Sequence, residues 1–189
     1  MTTPQTVDEL LALYAAKGNE HYGEHVTQLE HGLQCAALAA TEGAPEPLIA
    51  AALLHDVGHL VADVQGNARF DLETDDDHHE AIGARVLSPI FGPDVAQAVA
   101  LHVTAKRWRC TVEPDYLTNL SPTSAATLNA QGGLLDADAC ARFEAHPGFK
   151  GALALRRWDD TGKVVDLNVE PLEFYLPMLQ RLAVARERN

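Results

Sequence analysis

Apolar residues recur along most of this chain at intervals of three and four, the spacing that lines one face of an α-helix. DELLALYAAKG carries the pattern first and stops at a glycine. HVTQLEHGLQCAALAATEG continues it, with Gly43 placed to end the helix. Pro45 and Pro47 open PLIAAALLHDVGHL, a nearly all-apolar helix that must lie centrally, buried on most sides. VADVQGNARFDLETDDD is polar, aperiodic and acidic, and reads as a surface loop. HHEAIGARVLSPIFG returns to helix and is expected to stop before Pro89, and PDVAQAVALHVTAKRW follows with Pro93 in its first turn. TVEPDYLTNLSPTSAATLNAQGG holds short helical pieces closed by Gly132 and Gly133. DADACARFEAHPG and FKGALALRRWDDTGK are the last core helices. EPLEFYLPMLQRLAVARERN is expected to break or kink at Pro177. No segment alternates as a strand does, and no linker or repeat interrupts the chain. The expected fold is all-α, a single helical domain over residues 1–189 with a core at about 22–161 and a C-terminal helical tail at 170–189.

The 189 residues, 47% of them hydrophobic, suffice for one sizeable core. No apolar run approaches the roughly 18–20 residues that span a bilayer, and the N-terminus lacks the basic start of a signal peptide. Three widely spaced cysteines, Cys35, Cys110 and Cys140, fit a reducing cytoplasm better than a disulfide framework. A net charge of −13 opposes binding to nucleic acid and to anionic membranes. It leaves room for a locally basic pocket. Nine histidines, several in short ordered clusters, are the compositional oddity and direct attention to metal chemistry.

In ALLHDVGH a histidine and an aspartate stand side by side in an apolar segment. Buried charge is costly unless it is paired or bound to metal, and a cation would satisfy both groups. A hydrogen-bonded core pair is the ordinary alternative. The surrounding pattern favours the cation: His31 lies upstream, His79 precedes Glu80, His102 sits in AVALHVTAK, and Asp159 ends ALALRRWDD. Imidazole and carboxylate donors together suit iron, manganese or zinc.

The ordered H…HD…H…H…D pattern resembles the HD-domain superfamily, whose helical bundles hold one or two metal ions. The resemblance implies His31, His55, Asp56 and Asp159 around one ion. It implies His79 and His102 around a second, with Asp56 as the bridge. It selects His79 over its neighbour His78 because His79 directly precedes Glu80, as in the family's His-Glu-x-x-Gly element.

Basic residues share the register of these ligands. Lys106 falls four residues after His102, Arg156 three before Asp159, and His59 four after His55. Three such cations aimed at one site would make an anion pocket, in which an arginine fork recognises a phosphonate or phosphate bidentately and Ser124 adds a hydroxyl. The ordinary alternatives are a solvated helix end for Lys106 and Arg107 and a solvated face for Arg156 and Arg157.

YGEHVTQLEHGLQCA, ALLHDVGH, HHEAIGA, HVTAKRW, YLTNLSPTSAATLNAQGG and LRRWDD, extending over most of Tyr22 to Asp160, together resemble the phosphonate-catabolising HD oxygenases. These are di-iron enzymes related in mechanism to myo-inositol oxygenase. The resemblance implies two iron ions, Fe(II)/Fe(III), with O2 as co-substrate. It implies cleavage of the C–P bond of a 1-hydroxyalkylphosphonate to phosphate and a carboxylic acid. Asp56, His59 and Lys106 would serve catalysis, and His59, Lys106, Ser124 and Arg156 would bind the phosphonate. Glu24, seven residues before His31, matches a glutamate that meets the ammonium of 2-amino-1-hydroxyethylphosphonate, whose product is glycine. A sibling enzyme takes the trimethylammonium analogue and forms glycine betaine. Such a tail favours aromatic faces, which Tyr22, Trp108 and Tyr116 offer. Where the family places a tyrosine three residues before that glutamate, this chain has His21, with the tyrosine shifted to Tyr22. The match of Glu24 narrowly favours the primary amine. The rival readings are an HD phosphohydrolase of nucleotides or phosphomonoesters and a non-catalytic, metal-stabilised helical module. Metal identity, and the choice between monomer and homodimer, are left open by the sequence.

Overall fold

The computed structural model describes residues 3–21, 24–64 and 76–187. Tyr22 and most of the acidic segment after α4 lie outside the described residues. Among the described residues there are ten α-helices, one 3-10 turn and no strand. They are α1 (Val7–Lys17), α2 (Gln28–Thr41), α3 (Glu46–Leu54), α4 (Val57–Val64), α5 (His79–Phe91), α6 (Pro93–Val112), α7 (Pro122–Ala130), α8 (Ala137–Glu144), α9 (Phe149–Thr161) and α10 (Leu172–Glu187), with the 3-10 turn Leu117–Asn119 before α7. None of the helices described is long and apolar enough to cross a membrane.

The start of α2 is set by a capping box. The Thr27 hydroxyl accepts from the Glu30 N–H at 3.2 Å, and the Glu30 carboxylate accepts from the Thr27 N–H at 2.8 Å. That reciprocal cap fixes the helical phase one turn ahead of Gln34 and Cys35 and turns His31 inward. α6, the longest helix at 20 residues and about 30 Å, packs on α5, α3 and α9, while α2 lies against α3 and α9. α4 packs on α5, and α10 crosses α5 and α3. The main core joins α1–α6, α9 and α10 through residues such as Leu10, Leu53, Leu60, Leu87, Val99, Leu155 and Leu179. A separate aromatic cluster of Trp108, Phe143 and Phe149 ties α6, α8 and α9 together.

Three expectations from the sequence are corrected. PLIAAALLHDVGHL is not one helix: α3 ends at Leu54 and α4 starts at Val57, with His55 and Asp56 forming the joint. There the His59 N–H bonds Asp56 O at 3.0 Å, a tighter three-residue closure. His59 therefore approaches His55 across a helix junction rather than along one helical face. α5 runs through Pro89 to Phe91. Pro89 is exposed, so the carbonyl that loses its helical partner can turn to water. Of the break or kink expected at Pro177, the break does not occur, since α10 continues through it.

Candidate metal centre and anion pocket

The six residues expected as ligands converge from five regions of the fold: His31 from α2, His55 and Asp56 from the α3–α4 joint, His79 from α5, His102 from α6 and Asp159 from α9. All are buried except Asp56, whose side chain is 18% exposed. The orientation of the imidazoles is the informative feature. Each Nδ1 engages a fixed acceptor: Gly162 O for His31 at 2.8 Å, Ala52 O for His55 at 2.9 Å, Asp77 Oδ1 for His79 at 2.8 Å and Val99 O for His102 at 2.7 Å. Carbonyl and carboxylate oxygens can only accept, so each Nδ1 carries its proton and each Nε2 points inward, with a lone pair whenever the ring is neutral.

Those lone pairs face one another. His31 and His55 Nε2 are 3.2 Å apart, and His79 and His102 Nε2 are 3.0 Å apart. Asp56 lies between the pairs, with Oδ1 at 3.4 Å from His55, 3.7 Å from His79 and 3.8 Å from His102, and Oδ2 at 3.7 Å from His31. Asp159 Oδ1 adds contacts of 3.3 Å to His31 and 3.8 Å to His55. Two inward lone pairs at 3 Å repel unless a cation or proton separates them, so the donor set fits metal ions, with Asp56 able to serve both pairs.

In the metal-free cluster, protons on His31 and His55 supply the positive charge that the facing nitrogens and carboxylates call for. Burial alone would raise the Asp56 carboxyl, but His55, His59 and His79 hold it well below the usual carboxylate range. Asp159 is held down in the same way, by Arg156 first. Burial opposes protonation of His31 and His55. Cys35 and Asp159 nonetheless raise His31 to about 10, and Asp56 and Asp159 raise His55 to about 9. His102 is pushed well below the normal range by burial and by His79 and His55.

Beside this cluster a cavity of about 80 Å3 is lined by His59, Lys106, Ser124, Arg156 and Glu24 among others, so the anion-pocket residues do gather at one place. Lys106 Nζ donates to Ser124 O at 3.2 Å and Thr127 Oγ1 at 2.9 Å. Burial, and then Arg156, bring its ammonium down to about 8. Arg156 is less free than the sequence suggests. Nη1 donates to Asp159 Oδ2 at 2.7 Å, Nε to the Tyr116 hydroxyl at 2.8 Å, and Nη2 to Asp160 and, at 3.4 Å, to Ser124 Oγ. Its fork orients Asp159 and leaves a single N–H, on Nη1, for an anion. His59 stacks on His79, with ring centroids 4.0 Å apart, and pairs through Nδ1 with Asp77.

The tail-binding residues fare differently. Glu24 lines the cavity, but its Oε1 already accepts from Lys163 Nζ at 2.7 Å and from Ser121 Oγ at 2.8 Å. Trp108 belongs to the aromatic core, its Nε1 donating to Glu144 at 2.9 Å, and Tyr116 supports Arg156 and Asp160. Neither lines the cavity. Asp77, Asp160, Lys163 and Gln131 escaped the sequence reading. Asp77 hides in an acidic run that reads as solvated, yet it fixes His59 and His79. The left-handed backbone at His78, φ 51°, turns the chain so that Asp77 Oδ1 also accepts the His79 N–H at 3.2 Å.

Comparison with known proteins accords with this geometry. The HD domain family matches residues 22–142. The chain is 43% identical over 174 residues to a hydroxymethylphosphonate dioxygenase of Gimesia maris, covering 92% of this chain and 86% of that one. It is 39% identical over 177 residues to the glycine-betaine-forming [1-hydroxy-2-(trimethylamino)ethyl]phosphonate dioxygenase of Leisingera caerulea, covering 93% and 89%. An uncharacterized protein of Acanthamoeba polyphaga mimivirus is 34% identical over 172 residues, covering 90% and 78%.

Proposed function

This chain belongs to the HD-domain family and to its phosphonate-oxygenating branch, and on that footing we propose that it uses O2 to cleave the C–P bond of a 1-hydroxyalkylphosphonate. The observation that carries the reading is the facing pairs of imidazole lone pairs around Asp56, set directly beside a pocket lined by Lys106, Ser124 and Arg156. A hydroxyphosphonate dianion and O2 yield a carboxylate and dihydrogen phosphate. The C1–H and C1–P bonds break, and O2 takes up the four electrons. Water does not readily hydrolyse an unactivated C–P bond, so a redox centre has a purpose that a plain phosphohydrolase lacks.

His31, His55, Asp56 and Asp159 would hold one iron ion, and Asp56, His79 and His102 the other. Bound there, a mixed-valent Fe(II)/Fe(III) pair would supply O2 activation and Lewis acidity toward the substrate hydroxyl. Lys106 counters the phosphonate charge, and an anion beside it would offset the burial and the Arg156 repulsion that depress its ammonium. The Ser124 hydroxyl donates a hydrogen bond at the same end. Arg156 keeps Asp159 oriented and has one N–H, on Nη1, left to offer. His59, locked by Asp77 and stacked on His79, presents its remaining ring edge to the cavity. The net charge of −13 favours a small-molecule substrate over nucleic acid or anionic membrane partners.

The test is O2 uptake with phosphate release from hydroxyphosphonates by iron-loaded protein. Stoichiometric consumption of O2 and appearance of phosphate are expected, with a mixed-valent EPR signal after partial oxidation. Phosphate release from phosphomonoesters at full rate under strict anaerobiosis would instead establish a hydrolase.

A further inference from the structure

The Glu24–Lys163 pair at the mouth of the cavity is unused by the chemistry above, and both residues line the space a substrate tail would fill. Glu24 Oε1 receives Lys163 Nζ at 2.7 Å, and the two side chains are only 19% and 16% exposed. Lys163 Nζ also lies 3.4 Å from Ser121 Oγ and from Ser124 Oγ, and 3.9 Å from Asp159 Oδ1.

This lysine is held in place from both sides. The carbonyl of the preceding residue, Gly162, accepts from His31 Nδ1, and a Cβ at Gly162 would meet Cys35 Sγ at 2.7 Å. The following residue, Val164, is clasped by the Gln34 amide, which donates to its carbonyl at 2.8 Å and accepts its N–H at 2.9 Å. The backbone that carries Lys163 is thus anchored to the helix that carries His31. Its ammonium reaches Glu24 because the fold aims it there.

We infer that Lys163 sets the tail specificity: by occupying Glu24 it makes the site select a 1-hydroxyphosphonate whose tail bears no positive charge, hydroxymethylphosphonate in the simplest case. This inference rests on the oxygenase reading and names its substrate class. A cationic tail would have to expel Lys163 from its partner or lie beside the Lys163 and Arg156 charges in a partly desolvated space, where like charges discriminate strongly. A tail-less substrate makes neither demand, and Lys163 then adds to the positive field that receives the phosphonate. On this inference, the amine preference suggested by Glu24 alone gives way to an uncharged tail once its partner is counted.

The experiment compares hydroxymethylphosphonate with the 2-amino and 2-trimethylammonium ethyl analogues. It measures kcat/KM in air and Kd by anaerobic calorimetry on the iron-loaded protein. The parent should favour the uncharged substrate by roughly tenfold or more in both measurements. Lys163→Met should shift that ratio toward the cationic substrates through Kd and KM, and Lys163→Arg should restore the parental order. A parent that prefers either cationic substrate overturns the inference while leaving the oxygenase reading intact. So does a Lys163→Met variant that weakens all three equally. Failure of the parent to release phosphate from any of the three in the presence of O2 overturns the oxygenase reading itself.

Discussion

Gly58 stands where α4 meets α5, and its replacement by alanine tests whether helix spacing positions His79. An added Cβ would lie 2.0 Å from the His79 carbonyl oxygen, 2.6 Å from its carbonyl carbon and 2.7 Å from its Cα. Every one of these is backbone, so no side chain can swing aside. Ordinary contact requires the first turn of α5 to retreat by roughly 1.5 Å, several times the ~0.2 Å tolerance of a metal–ligand bond. Overpacking costs about 1–3 kcal/mol, with a rigid backbone at the upper end. Alanine in a helix recovers about 1 kcal/mol over glycine. The steric term wins, leaving a net loss of about 2 kcal/mol, or roughly 4–8 °C in Tm for a chain of this size. Thermal unfolding of the metal-free variant reads the packing cost without contribution from ions. Metal analysis of the reloaded protein reads the site and should show loss of about one equivalent, that of the Asp56–His79–His102 set. A variant that melts at or above the parent and keeps its full metal content would refute the reasoning.

Other expectations follow from the same structure. Asp77→Asn keeps the volume but weakens the acceptor shared by His59 and His79, so metal affinity at the His79 end should fall about 10–100-fold in competition titrations with a chelator; unchanged affinity would make Asp77 a bystander. Lys106 is charged only below about 8 in the free protein, so KM for the phosphonate should rise as pH passes upward through that value while kcat changes little. Lys106→Met should have a raised KM without that alkaline limb, and persistence of the limb in the variant would assign it to another group. Arg156→Ala removes charge-assisted bonds worth about 1.5–3 kcal/mol each and takes from buried Asp159 its 2.7 Å partner, while Asp160 keeps Arg109, so both substrate binding and metal retention should suffer. Loss of binding alone, at full metal content, would return Arg156 to a purely substrate-facing role.

Much of the centre was legible because it breaks rules that the rest of the chain obeys. His55 and Asp56 interrupt an apolar run, and His31, His79, His102 and Asp159 fall on otherwise buried helical faces. The break between α3 and α4 was not legible. α3 is apolar over its last turns and the run resumes with Val57 and Gly58, so nothing but His55 and Asp56 marks the joint. Pro89 and Pro177 misled in the opposite direction, since an exposed proline side can be tolerated within a helix. Asp77 and Asp160 were hidden by composition: each stands in a pair or run of acids whose ordinary fate is solvation, and only the folded chain shows which carboxylate turns inward. Lys163 was hidden by position, as a lysine after a helix-ending glycine is usually a solvated end. Its role depends on Gln34 and His31, more than a hundred residues away.

That separation along the chain has a consequence in time. Asp159 follows His31 by 128 residues, so at about 5–20 residues per second a ribosome delivers the last donor roughly 6–26 s after the first. For that interval the nascent chain displays histidines without the carboxylate and the Gly162 carbonyl that complete and orient them. Such an unfinished cluster ranks ions by intrinsic affinity, which favours copper and zinc over iron. The ion that the mature protein holds would therefore depend on which one is available when α9 docks, and newly made chains should be more vulnerable to mismetallation than folded ones.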